Sequence, residues 1–146
     1  MNINKEHKLQ LARTLFNSGY NCAQAVAGAF EEEMNIPLPL IMRCLSGFGG
    51  GMAGHRDSCG AISGMVFVLS TLIGFDDCPT AQDKKALYER IDKQIAQFEI
   101  QYESTQCRDL LASLNKIPES ELNKERPCMV YVDACTAYTC KALINN

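Results

Sequence analysis

The stretch Cys59-Gly60-Ala61-Ile62-Ser63-Gly64-Met65-Val66-Phe67-Val68-Leu69-Ser70-Thr71-Leu72-Ile73-Gly74-Phe75 is apolar nearly all round and carries no charge. It is too long for an ordinary strand. A membrane span needs about 20 apolar residues, and Gly60, Ser63, Gly64 and Ser70 interrupt this run. It reads as a buried central helix, which must be covered on every side by other elements. Strand signal is confined to Met65–Leu69, inside the same run, so the covering elements are helices as well.

The flanking chain divides at proline and glycine into helix-sized pieces. A first helix is expected over 5–17, with Leu9, Ala12, Leu15 and Phe16 inward and Gly19 as its stop. A second is expected over 22–34, capped by Asn21, with Ala23, Val26, Ala27 and Phe30 inward and Glu31-Glu32-Glu33 as a solvated end. Pro37 and Pro39 open a short helix to Leu45. A long charged helix is expected over 80–103, where Tyr88, Ile91, Ile95, Phe98 and Tyr102 form a narrow stripe suited to one neighbouring helix, in this chain or in a second copy as a homodimer. A short helix begins near Gln106, and a last one runs over 128–143 behind Pro127. The expected fold is all-α: residues 1–146 form a single-domain bundle of five to seven helices, with a glycine-rich loop before the buried central helix.

The whole chain agrees with one soluble domain. It has 146 residues, 47% hydrophobic and 21% charged, with a net charge of −3. Nothing basic is in excess, so neither nucleic acid nor an anionic membrane is an expected partner. The opening residues Met1 to Lys8 are polar and lead into no apolar segment of a secretory signal. The expected location is therefore the reducing cytoplasm, where cysteines are more often free, metal-bound or redox-active than locked in structural disulfides.

There are eight cysteines: Cys22, Cys44, Cys59, Cys78, Cys107, Cys128, Cys135 and Cys140. None pairs at C-x-x-C spacing, which argues against thioredoxin motifs, zinc ribbons, bacterial ferredoxin spacing and covalent haem. Cys135 and Cys140 are five apart, about 500° on a helix, so they point to different faces. Cys22 follows the cap Asn21, Cys59 follows Asp57-Ser58, Cys107 follows Ser104-Thr105 and Cys128 follows Pro127. All four stand in the expected first turn of a helix, where free N–H groups and about half a positive charge favour a thiolate. Four such ends in one small domain point to a common sulfur site. Cys44, Cys135 and Cys140 read as buried packing residues, and Cys78 is ambiguous.

Seven of the ten glycines lie between Gly47 and Gly64. Gly49, Gly51 and Gly54 fit G-x-G-x-x-G, but no strand precedes them, and His55-Arg56 stands where a phosphate loop needs Lys-Ser/Thr. The glycines suit unusual backbone and close approach around Cys59. Gly60 and Gly64 admit either a helix or a cofactor. His55 is near enough in sequence to serve Cys59 or to be plain surface, Arg56 can bring positive charge, and His7 reads as surface.

Cys59-Gly60-Ala61-Ile62-Ser63-Gly64 resembles the C-G-A-x-x-G element of the redox-active proteins labelled C_GCAxxG_C_C. Asn21-Cys22-Ala23-Gln24-Ala25-Val26 resembles the family's first cysteine segment, and Gly47-Phe48-Gly49-Gly50-Gly51-Met52 its glycine loop. Cys107-Arg108-Asp109-Leu110-Leu111 resembles its third segment. Cys128 with Val132-Asp133-Ala134 resembles its last helix. The resemblance maps the family's four cysteines onto Cys22, Cys59, Cys107 and Cys128; the other four depart from the pattern. It implies a prokaryotic, redox-active protein. Related domains fused to split-Soret cytochromes are associated with an iron–sulfur centre.

Three functions use the same residues. In the first, Cys22, Cys59, Cys107 and Cys128, with Gly60 alongside, hold an iron–sulfur cluster, most simply [2Fe–2S], for electron transfer or redox sensing with a partner protein. In the second, no cofactor is present and Cys59 is the reactive thiolate of a dithiol oxidoreductase, resolved by Cys22 or another of the four. In the third, the thiols hold structural zinc or merely pack an interaction module.

Overall fold

The computed structural model describes residues 1–145. Among them are eight α-helices: α1 (Lys5–Asn17), α2 (Cys22–Gly28), α3 (Glu31–Met34), α4 (Leu38–Cys44), α5 (Gly60–Ile73), α6 (Ala81–Tyr102), α7 (Cys107–Ala112) and α8 (Met129–Ile144). Short 3₁₀ turns lie at Ser46–Phe48, Leu114–Lys116 and Glu119–Glu121. The fold is all-α, as expected. Six helices have seven or more residues, within the expected five to seven, and α3 and α7 are shorter additions. No described helix is long and apolar enough to cross a membrane.

The first ten residues of α5 form the centre, packed against α2, α8, α3 and α6. Ala61, Met65, Val68 and Leu69 are fully enclosed there with Val26, Phe30, Val132 and Leu143. The apolar character persists beyond that point, but Ser70, Thr71 and Phe75 are exposed, so the all-round pattern overstates the burial of the C-terminal end. α1 buries Leu9, Ala12 and Phe16 and stops where Gly19 turns at φ +108°.

The helix expected over 22–34 is broken. α2 ends at Gly28, Phe30 takes a non-helical ψ of 22°, and α3 then runs to a left-handed Asn35. The break drops Phe30 into the core and turns Glu33 inward, where its carboxylate meets the Lys8 ammonium at 2.6 Å. Lys8 also stands 5.7 Å over the Phe30 ring. The acidic run is thus partly engaged rather than a solvated end: Glu33 pairs with Lys8, and Glu31 accepts from the Leu38 N–H.

The α6 stripe is covered from within the chain. Ile91 and Phe98 are buried, and Phe98 and Tyr102 stack on Tyr131 of α8 with centroids 5.9 and 5.1 Å apart. Tyr88, at the other end of the stripe, is exposed.

Candidate functional site

The helix ends fall where the cysteines are. Asn21 caps α2 with a full capping box, making Cys22 its first residue. Cys59 is the N-cap of α5, Cys107 is the first residue of α7, and Cys128 is the N-cap of α8. Tertiary structure then brings these ends together. Cys22, Cys59, Cys107 and Cys128 all line one half-open cavity of about 270 Å³, with Gly60, Tyr131, Leu110, Arg56 and Arg126 around them.

Two devices join the ends. The first is helix proximity: a Cβ on Gly60 would stand 3.2 Å from Cys22 Cβ, and one on Gly64 would stand 2.5 Å from Ala23 O. The two glycines therefore let α2 lie directly on α5, and Gly60 also forms part of the cavity wall. The second is a short antiparallel splice, with a bridge between Ser58 and Gln106. Cys59 N–H donates to Thr105 O at 2.9 Å, and Cys107 N–H donates to Asp57 O at 2.6 Å. Arg108 locks the splice through the Asp57 carboxylate at 3.0 Å.

The glycine loop feeds the splice through a run of left-handed residues: Gly50, Gly51, Met52, Ala53 and Gly54 all have φ between +50° and +79°. Met52 and Ala53 lack glycine's freedom and store about 1–2 kcal/mol each. Gly51 has no alternative, since a Cβ there would meet Cys107 Cβ at 2.6 Å. His55, by contrast, is exposed and outside the cavity wall. His7 is exposed, as expected.

The four sulfurs are electrostatically unequal. Cys22 and Cys128 act on each other across the cavity. Within the pair, Cys128 is the acidic partner: its interaction with Cys22 and the guanidinium groups of Arg126 and Arg56 bring it down to about 7 against its burial. Cys22 is correspondingly pushed up, by that interaction and by burial. Cys59 goes against the helix-end expectation. It is 5% exposed, and burial pushes it up to about 11. Its sulfur closes no capping hydrogen bond, although the Ala61 and Ile62 amides lie near enough to favour the thiolate. Desolvation wins over the helix dipole here.

A pH prediction follows for the metal-free, reduced protein. Cys128 labelling by iodoacetamide should rise with pH through a midpoint near 7, and Cys59 should remain unlabelled until about pH 11. Peptide-resolved mass spectrometry measures both. A Cys59 midpoint below that of Cys128 would refute the ordering.

The other four cysteines stand apart from the cavity wall. Cys44 is exposed at the end of α4, not buried as expected, because Ile41 and Met42 take the core side of that last turn and leave Arg43 and Cys44 on the solvent side. Cys78 is exposed in the turn before α6. Cys135 and Cys140 are fully buried in α8 and face different surroundings, as their spacing implied: Cys135 near Cys59, Cys140 near Lys8 and Glu33.

Sequence reading missed Arg126 and Tyr131. Arg126 stacks 3.7 Å over Phe16 and donates to Phe16 O and Tyr20 O, pinning the segment before α8 to the end of α1. Tyr131 is 1% exposed and donates to Leu110 O at 2.6 Å, closing the inner wall. Pro127 marked the helix start, but nothing local marked the arginine before it.

Among the described residues, no three His, Cys, Asp or Glu side chains are gathered tightly enough to hold a single metal ion. The thiols surround a volume instead of converging on a point. No curated protein and no solved structure matches the chain. A family model described as "Putative redox-active protein (C_GCAxxG_C_C)" matches residues 20–143, which includes every cavity cysteine, the glycine loop and the α5 motif. The chain belongs to the C_GCAxxG_C_C family of redox-active proteins.

Proposed function

We propose that Cys22, Cys59, Cys107 and Cys128 ligate an iron–sulfur cluster, most simply [2Fe–2S], in a protein that transfers electrons or senses redox state. The observation that carries this is the arrangement of four thiols around one half-open cavity of about 270 Å³. That volume suits a group of several atoms better than one ion, and a zinc ion would need the thiols to draw together. The donor set is all sulfur, the ligation iron–sulfur clusters use. Such a cluster supplies one-electron chemistry when bound. The protein's own residues have separate tasks. Arg56 and Arg126 offset the negative charge of thiolates, the Ala61 and Ile62 amides polarise the Cys59 sulfur, and Tyr131 and Leu110 shut water out from the inner side.

The test is anaerobic purification followed by reconstitution with iron and sulfide, with absorption spectroscopy and iron, sulfide and zinc analysis. The expected result is a brown protein with about two irons and two sulfides per chain. Cys59→Ser should abolish the colour with little loss of helix content, and Cys44→Ser should leave it intact. A wild-type protein that stays colourless after reconstitution would sink the cluster reading.

The Cys22–Cys128 pair, two thiols on one cavity wall of which Cys128 is held acidic, favours a second reading, a dithiol oxidoreductase. Its attacking thiolate is then Cys128 in place of the buried Cys59. Cys128 attacks a partner disulfide, forming a mixed disulfide and releasing one partner thiolate. Cys22 gives up its proton and attacks the Cys128 sulfur, which releases the second thiolate and leaves Cys22–Cys128 oxidised.

A further inference from the structure

Arg56 stands at the open side of the cavity with φ +62°, a conformation that residues bearing a side chain seldom take. The fold holds it there from both sides. Its N–H donates to Gly50 O at 3.0 Å, and its carbonyl accepts from the Arg108 N–H and Nε at 3.2 Å each. Arg108 is fixed in turn by Asp57. The outcome is that Arg56 Nη1 reaches Cys107 Sγ at 3.7 Å. The two rim guanidinium groups thus differ in employment. Arg126 is committed to two backbone carbonyls and the Phe16 ring, whereas Arg56 directs its charge at sulfur.

We propose that Arg56 is a positioning residue whose guanidinium holds negative charge at the mouth of the four-thiol cavity, over Cys107. The proposal rests on the reading of these cysteines as the working site, and not on which group they bind. One consequence is that the sulfur of Cys107 meets anionic molecules more readily than neutral ones of the same shape, and salt screens the difference.

The experiment exposes the metal-free, reduced full chain to iodoacetate and iodoacetamide in parallel and reads each cysteine by peptide mass spectrometry. Both reagents attack the same thiolate, so their ratio cancels the amount of thiolate and reports the local field. The ratio at Cys107 should exceed that at the exposed Cys44. In Arg56→Gln it should fall about fivefold, return in Arg56→Lys, and shrink at about 0.5 M salt, where screening acts within a few ångströms. Arg56→Gly guards against a folding defect: glycine accepts the left-handed backbone, so this variant should melt no lower than wild type and still lose the ratio. An unchanged ratio in Arg56→Gln, an equal fall at Cys44, or no recovery in Arg56→Lys would overturn the proposal. A colourless wild-type protein that still shows the Arg56-dependent ratio would discard the cluster and keep this role; a brown protein with an Arg56-independent ratio would do the reverse.

Discussion

Gly64→Ala should lower stability by about 3 kcal/mol or more and scatter the thiol cavity. Glycine to alanine inside a helix ordinarily stabilises by roughly 0.5–1 kcal/mol. Here the added methyl would stand 2.5 Å from Ala23 O, 3.1 Å from Ala23 Cα and 3.1 Å from Val26 Cβ. The first two are backbone atoms, so no rotamer change relieves the clash, and α2 must move off α5. α2 carries Cys22 at its first residue, so the displacement reaches the cavity. Chemical denaturation should show a markedly lower midpoint, and any cluster should be lost with it. Ser63→Ala, one position away and half-buried, is the control, with a change within about 0.5 kcal/mol. Wild-type stability in Gly64→Ala would show that α2 and α5 are not in direct contact there.

The second large effect is expected at Lys8→Met. Lys8 is 3% exposed and Glu33 12%, with 2.6 Å between ammonium and carboxylate. Removing the lysine leaves a largely buried carboxylate without its partner. Breaking such a pair costs about 3–5 kcal/mol, and the lower end applies because Glu33 keeps some contact with water. The double variant Lys8→Met/Glu33→Leu should regain most of the loss, since an apolar pair of similar volume fills the same space. Thermal denaturation of both variants decides the matter. A single variant as stable as wild type, or a double variant no better than the single, would refute the pairing as the source. The cavity lies at the other end of α1, so iron content per folded chain should be unchanged in the double variant.

The helices themselves were largely legible because their signals are local. Asn21 three residues before Gln24, Pro127 before Cys128 and Gly19 after α1 each act on the turn beside them, and α5 announces itself by composition. The same locality made it possible to place Cys22, Cys59, Cys107 and Cys128 at helix starts. The break after Gly28 had only one local signal, Gly28 itself, set in an otherwise alanine-rich run that the expected helix passed over. Phe30 turns inward because the core and the Lys8–Glu33 pair reward it, and both are long-range. Nothing beside Lys8 in the sequence marks it as buried, for the same reason.

By itself, then, the sequence determined the helical class, the burial of α5 and the four cysteines at helix starts, because capping, periodicity and glycine freedom act within a few residues. That these four ends meet is a tertiary outcome, produced by α2 lying on the Gly60/Gly64 face and by the splice of 56–59 against 105–108. The charge states of Cys22, Cys59 and Cys128 were decided there too. A helix start favours thiolate, but burial overrides it at Cys59, while the interaction with Cys22, Arg126 and Arg56 reinforces it at Cys128. Burial and the approach of a distant guanidinium depend on how the whole chain packs, and no window of sequence contains them.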